Sequence, residues 1–145
     1  MKSQKTPLEV SKTALFTAFF FFVMVSVSQA QGRIHRNELL TTRLKERAVS
    51  HVHTEKITFQ AGQKAPRHLH PCPVLGYVVS GTVRFQVEGQ PERILKAGEA
   101  FFEPAATPIV HFDNFSEKEP LVFLAYYLLQ EGEQKVELLP QKVKK

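Results

Sequence analysis

From Ala48 onward, apolar and polar positions alternate in short runs punctuated by Gly and Pro, which is the pattern of half-buried β-strands rather than of helices. The clearest run is Thr82 to Glu88, where Val83, Phe85 and Val87 alternate with Arg84, Gln86 and Glu88. Upstream, His51 to Phe59 reads as a first strand closed by Ala61-Gly62-Gln63, and His68 to Val79 as a second, interrupted near its start by Pro71 and Pro73. Downstream come Arg93-Ile94-Leu95, Ala100 to Glu103, Thr107 to Asp113 and Leu121 to Leu129. Asn37 to Arg47 reads as a short helix or an irregular N-terminal arm. Short strands with closely spaced turns predict a small all-β sandwich or barrel.

The ends differ in character. Lys2, Lys5 and Lys12 precede an apolar run from Ala14 to Val27, and Ser28-Gln29-Ala30 follows with small residues. That order predicts a secretory signal cut after Ala30 and a periplasmic or secreted product. The run is short for a bilayer span, which needs about 20 residues; an uncleaved anchor is the alternative. The expected organisation is a signal over 1–30, the arm over 31–47, the barrel over 48–130 and a polar, loose tail over 131–145. Three lysines and one glutamate leave with the leader, so the net charge of +5 becomes +3. No basic stripe is interleaved with aromatics, which argues against a nucleic-acid partner, and no membrane contact is expected after cleavage. Cys72 is the sole cysteine, so no intrachain disulfide supports the fold.

Candidate chemistry centres on His68-Leu69-His70. In an extended strand, residues two apart face the same way, so both imidazoles can enter one cavity. With His111 they would make three neutral nitrogen ligands for a divalent transition metal, leaving positions open for water or substrate. Glu103 shares a strand face with Phe101 and reads either as a further ligand or base, or as a rim glutamate bonded to backbone. Cys72 has the strand parity of the two histidines but lies between prolines, and a lone Cys is most often a small buried hydrophobe. His51 and His53 also lie two apart, yet without a flanking frame they read as an exposed edge. Tyr77, Phe85, Phe101, Phe102, Phe112, Phe115 and Phe123 read by default as core, some of them as walls of a ligand pocket.

These residues resemble the cupin family, whose fold is a double-stranded β-helix or jelly-roll barrel. The family's first motif runs Gly, five residues, His-x-His, three or four residues, Glu, six residues, Gly; Gly62, His68, His70 and Gly81 match it. Gly98 and Pro104 match the start of the second motif, and His111 with Asn114 follow in altered form. The usual glutamate is absent, since Val74, or Leu75 with a one-residue shift, stands in its place. In the second motif Ala106 replaces a Gly and two extra residues precede His111. An inserted pair keeps strand parity, so His111 is expected to face inward.

The resemblance implies a metal among iron, manganese, nickel, copper and zinc, a small-molecule ligand in the barrel and a homodimer formed through sheet edges. It makes dioxygenase, isomerase or lyase chemistry plausible. A non-catalytic small-molecule or sugar binder with a degenerate metal site is the alternative, because a site without its carboxylate does not offset the metal's charge.

Overall fold

The computed structural model describes residues 32–140. The signal over 1–30 and the lysines at 142, 144 and 145 lie outside the described residues. Contacts divide the chain between Arg36 and Asn37, and the second unit carries the fold. Strands β1 (His51–Phe59), β2 (His68–Leu69), β3 (Val74–Ser80), β4 (Thr82–Val87), β5 (Arg93–Lys96), β6 (Ala100–Glu103), β7 (Ile109–Asn114), β8 (Leu121–Leu129) and β9 (Glu137–Leu138) follow in order. They form two antiparallel sheets, β1-β8-β3-β6 and β5-β4-β7-β2-β9. The expected all-β jelly-roll is the fold observed. Residues 37–50 form no helix and no strand, so the irregular arm is the reading that holds.

The turns follow from the sequence. Gly81 joins β3 to β4 at φ +85°, and a Cβ there would meet the Pro120 carbonyl at 2.7 Å, so this corner needs glycine twice over. Pro71 and Pro73 flank the break between β2 and β3 because proline cannot donate to a ladder. Asn114 ends β7 and ties the next turn, donating Nδ2 to the Gln60 and Glu119 carbonyls at 2.8 Å each.

The core lies between the inner faces of the sheets. Phe101, Phe112 and Phe123 stack edgewise or tilted at 4.6 to 6.1 Å between centroids, with Phe85 5.6 Å from Phe101. Not every ring expected in the core is there. Phe115 follows the end of β7 and is 58% exposed. Tyr77 and Phe102 sit at half-buried positions that alternate with buried neighbours, which puts them on the outer face of their sheet. The chain after Glu131, expected to be loose, instead returns to the barrel: β9 pairs with β2, matching Leu138 to His68 and Glu137 to Leu69.

Candidate metal site

His68 and His70 leave the same face of the chain at β2, with ring centroids 5.0 Å apart. Both are buried. Each ring is fixed through Nδ1. His68 Nδ1 lies 2.7 Å from the Pro66 carbonyl, and His70 Nδ1 lies 2.5 Å from the Lys135 carbonyl. A carbonyl only accepts, so both Nδ1 atoms carry the proton, and Nε2 is the atom each ring offers to a further partner. This is the arrangement by which outer partners set the tautomer of metal-ligating histidines.

Glu103 ends β6 and is 3% exposed. Its Oε2 is 3.0 Å from His70 Nε2, and one donor atom from each of His68, His70 and Glu103 lies within 4.8 Å of the others. Val74, the residue in the place of the family's usual glutamate, is the direct cross-strand partner of Glu103. Facing side chains on paired strands share one face about 5 Å apart. Glu103 thus stands one strand away from the position of the family's usual glutamate and lines the cavity.

The electrostatics suit a cation. Burial lowers the pKa of His68, against the opposing pull of the Pro66 carbonyl and the Glu103 charge. Burial acts downward on His70 too, but the Glu103 hydrogen bond and charge, with the Lys135 carbonyl, outweigh it and hold His70 above the usual imidazole value. Because Nδ1 of His70 already donates to a carbonyl, one proton bridges its Nε2 and Glu103. A divalent cation would take that proton's place.

The three side chains open on a cavity of about 180 Å³, walled by Phe59, Phe101, Phe112, Phe123 and Ile57. That is slightly more than the engineered cavity of about 150 Å³ that takes benzene, so the occupant is small. Tyr127 completes the wall, 5.5 Å from His70 between centroids. Burial, followed by the Glu55 and Glu103 carboxylates, holds its phenol well above the usual range, so it keeps its proton. Val136 and Leu138 form part of the rim.

His111 is not brought to this cluster. Regular alternation from the buried Ile109 would aim His111 inward, but a bulge intervenes: Gln86 pairs with His111 while its neighbour Val87 pairs with Ile109. Val110 is the extra residue, and it turns His111 to the outer face, where Nδ1 meets Asp113 Oδ2 at 3.0 Å. Phe112 faces the cavity in its stead. An inserted pair preserves parity only when neither residue is spent in a bulge. Cys72 is fully buried in the core and is likewise not brought to the site. Burial, then the charge of Glu133, raises its thiol pKa. His53 is exposed on the edge strand β1, as expected, with Nε2 3.0 Å from Glu55.

Tyr127, Glu55 and Lys135 were not singled out by the sequence reading. The parity of Leu121, Phe123 and Ala125 could have placed Tyr127 inward. Nothing local marks Lys135, whose contribution is a main-chain oxygen.

Comparison with known proteins agrees with this architecture. Among solved structures, the chain is similar to a cupin-like protein of Thermotoga maritima, with 26% identity and a TM-score of 0.52, covering 64% of this chain and 68% of that one. It is also similar to the DMSP lyase DddQ of Ruegeria pomeroyi, with 24% identity and a TM-score of 0.55, covering 64% of this chain and 45% of that one. Oxalate decarboxylase of Bacillus subtilis matches with 24% identity and a TM-score of 0.53, covering 61% of this chain and 23% of that one. The chain thus spans less than half of the lyase and about a quarter of the decarboxylase, and at these identities the likeness to both shows the fold. No curated protein matches by sequence. The cupin domain family matches residues 55–127, half of the chain and nearly all of the barrel, and the chain belongs to the cupin family.

Proposed function

We propose that this cupin binds one divalent transition metal through Nε2 of His68, Nε2 of His70 and the carboxylate of Glu103, with a small organic molecule held beside it in the apolar chamber. One observation carries the reading: two buried imidazoles, each with Nδ1 committed to a carbonyl, converge with a buried carboxylate. Two histidines and one carboxylate form the donor set of mononuclear iron oxygenases, which favours iron, with manganese next, over zinc, nickel or copper. When bound, the ion supplies Lewis-acid polarisation of a substrate oxygen, or an attachment point for dioxygen if it is iron.

The chain's own residues supply the rest. Phe59, Phe101, Phe112 and Phe123 exclude water and limit the substrate to a compact body. Glu103 offsets cationic charge, and the Tyr127 phenol, which keeps its proton, adds an uncharged polar group to the chamber wall. Lyase and decarboxylase activities belong to the structural neighbours; they support small-molecule chemistry as the class to test, of dioxygenase, lyase or isomerase type. The leader pattern supports an exported protein cut after Ala30, and the mass of the mature chain tests this. The partly exposed apolar outer face of the β1-β8-β3-β6 sheet supports a homodimer.

A second reading rests on a specific observation. Ile109, an apolar residue, is the buried partner of His68, and His111 lies on the outer face. These favour a non-catalytic small-molecule binder. Elemental analysis of the untagged mature protein, beside His68→Ala/His70→Ala, separates the two. Near-stoichiometric metal that is lost in the variant supports the metal reading. No metal in either, after anaerobic reloading with iron and manganese, leaves the binder.

A further inference from the structure

We propose that Lys135 and Glu55 are positioning residues for His70, clamping the segment whose main-chain carbonyl holds the ring; the inference rests on His70 being a metal ligand. The two histidines are oriented by unlike means. His68 is held by Pro66, two residues away on its own stretch of chain, whereas His70 is held by Lys135, 65 residues away. The aim of His68 is therefore built in locally, while that of His70 depends on where the segment from Gln130 to Leu139 lies.

Little else fixes that segment. Its strand β9 is two residues long, and Leu139 adds one bond to the Arg67 carbonyl at 2.9 Å. Val136 and Leu138, which roof the cavity, remain 46% and 67% exposed, so apolar burial contributes little. Ionic contacts pin it instead. Near its start, Glu133 pairs with Arg47 and accepts from the Gln130 amide at 2.9 Å. In the middle, the Lys135 ammonium pairs with Glu55, lies 3.3 Å from His53 Nε2 and stands 5.7 Å from the Tyr127 ring centroid. The pKa of Glu55 is lowered first of all by the Lys135 hydrogen bond. The side chain of Lys135 thus fixes the position of its own carbonyl, and the carbonyl fixes His70.

A merely structural ion pair behaves differently from a clamp. Lys135 and Glu55 are about one third exposed, and pairs of that kind contribute little to folding. Loss of a partner that orients a metal ligand costs about 10- to 100-fold in metal affinity. A clamp therefore predicts weakened metal binding with almost unchanged stability of the metal-free protein.

The test titrates Mn²⁺ into the metal-free mature protein and into Lys135→Met, Glu55→Gln, the double variant and Lys135→Arg, following heat release, and records the melting temperature without metal. We expect each single loss to weaken Mn²⁺ binding about tenfold or more, the double variant to be no weaker than the singles, and arginine to recover most of the loss. Melting temperatures should stay within about 2 °C of wild type. Single variants that bind Mn²⁺ within about twofold of a binding wild type would overturn the clamp and leave the metal reading intact. Should wild type take up neither Mn²⁺ nor, under anaerobic conditions, Fe²⁺, the metal reading fails, and the clamp is decided on the metal-free protein by nuclear magnetic resonance. A His70 Nδ1–H protected from exchange in wild type and lost in Lys135→Met supports it; equal protection in both refutes it.

Discussion

The proposed carboxylate ligand, Glu103, stands one strand away from the position of the family's usual glutamate. Its strand position pairs with Val74, so both side chains project into the same volume, and a carboxylate on either can meet His70. Glu103→Val should abolish stoichiometric metal, and Val74→Glu added to it should restore much of the binding, since the lost group returns from the neighbouring strand. Restoration failing while the double variant folds would show that the geometry of β6, not just its neighbourhood, is required. His111→Ala should leave metal affinity within about twofold of wild type, because an outward ring lies beyond the cluster; a loss of the about 10- to 100-fold associated with outer partners would contradict that placement. The pH dependence follows from His70, whose folded pKa is raised above the ordinary imidazole value of about 6.5. A raised histidine stabilises the metal-free fold fully below the unfolded pKa, and that contribution is lost as pH rises through the folded one. Metal binding runs the opposite way, since the cation must displace the proton that bridges His70 and Glu103. The increase in melting temperature on adding Mn²⁺ should therefore be small near pH 5.5, grow through and above about pH 6.5, and level off once His70 is neutral. A metal-induced shift that does not change with pH would rule out His70 as a ligand.

At the level of elements, β3 and β6 meet through a tight contact that keeps Glu103 at its depth. Gly76 pairs with Phe101, and a Cβ on Gly76 would fall 1.9 Å from the ring. Phe101 is among the largest fully buried side chains and cannot swing to solvent. Gly76→Ala should therefore cost about 1–3 kcal/mol through overpacking, read as a lower denaturant midpoint. The limits of β1, β6 and β8 were legible in the sequence because turn residues bound each run of β-formers. What stayed hidden was set between strands rather than along them. The Val110 bulge carries no glycine or proline to announce it, yet it decides which way His111 faces. The pairing of Val74 with Glu103 depends on the register between β3 and β6, which alternation within either strand does not encode. Strand β9 has two residues, both exposed, so it has no alternation to read, although it closes the edge beside His68.

Across the whole molecule, the central strand β8 of the β1-β8-β3-β6 sheet is apolar on both sides. The inner positions of β8, Leu121, Phe123, Ala125, Tyr127 and Leu129, are buried, while the alternate positions Val122, Leu124, Tyr126 and Leu128 are half-exposed. Leu124 and Tyr77 are direct partners, as are Tyr126 and Leu75, and Leu75 also pairs with Phe102. These side chains therefore form one contiguous outer patch over three strands. Val52, opposite Leu128 on the nine-residue edge strand β1, extends it and is 55% exposed. Contiguous apolar patches rimmed by polar residues mark association surfaces, and a long edge strand is best covered. In the proposed homodimer, a second copy of the chain would cover both through one two-fold contact. The wild type should then scatter light as a dimer at micromolar concentration, and a monomer there would refute the assembly. Leu124→Lys places a charge in the middle of the patch but outside the core, so it should give a folded monomer. Glu103, on the inner face of this sheet, and His68 and His70, from the β2 side of the barrel, all line the interior cavity, away from the patch. That monomer should therefore bind Mn²⁺ as the dimer does, and parallel loss of dimer and metal would mean that the two faces of the sheet are coupled through β8.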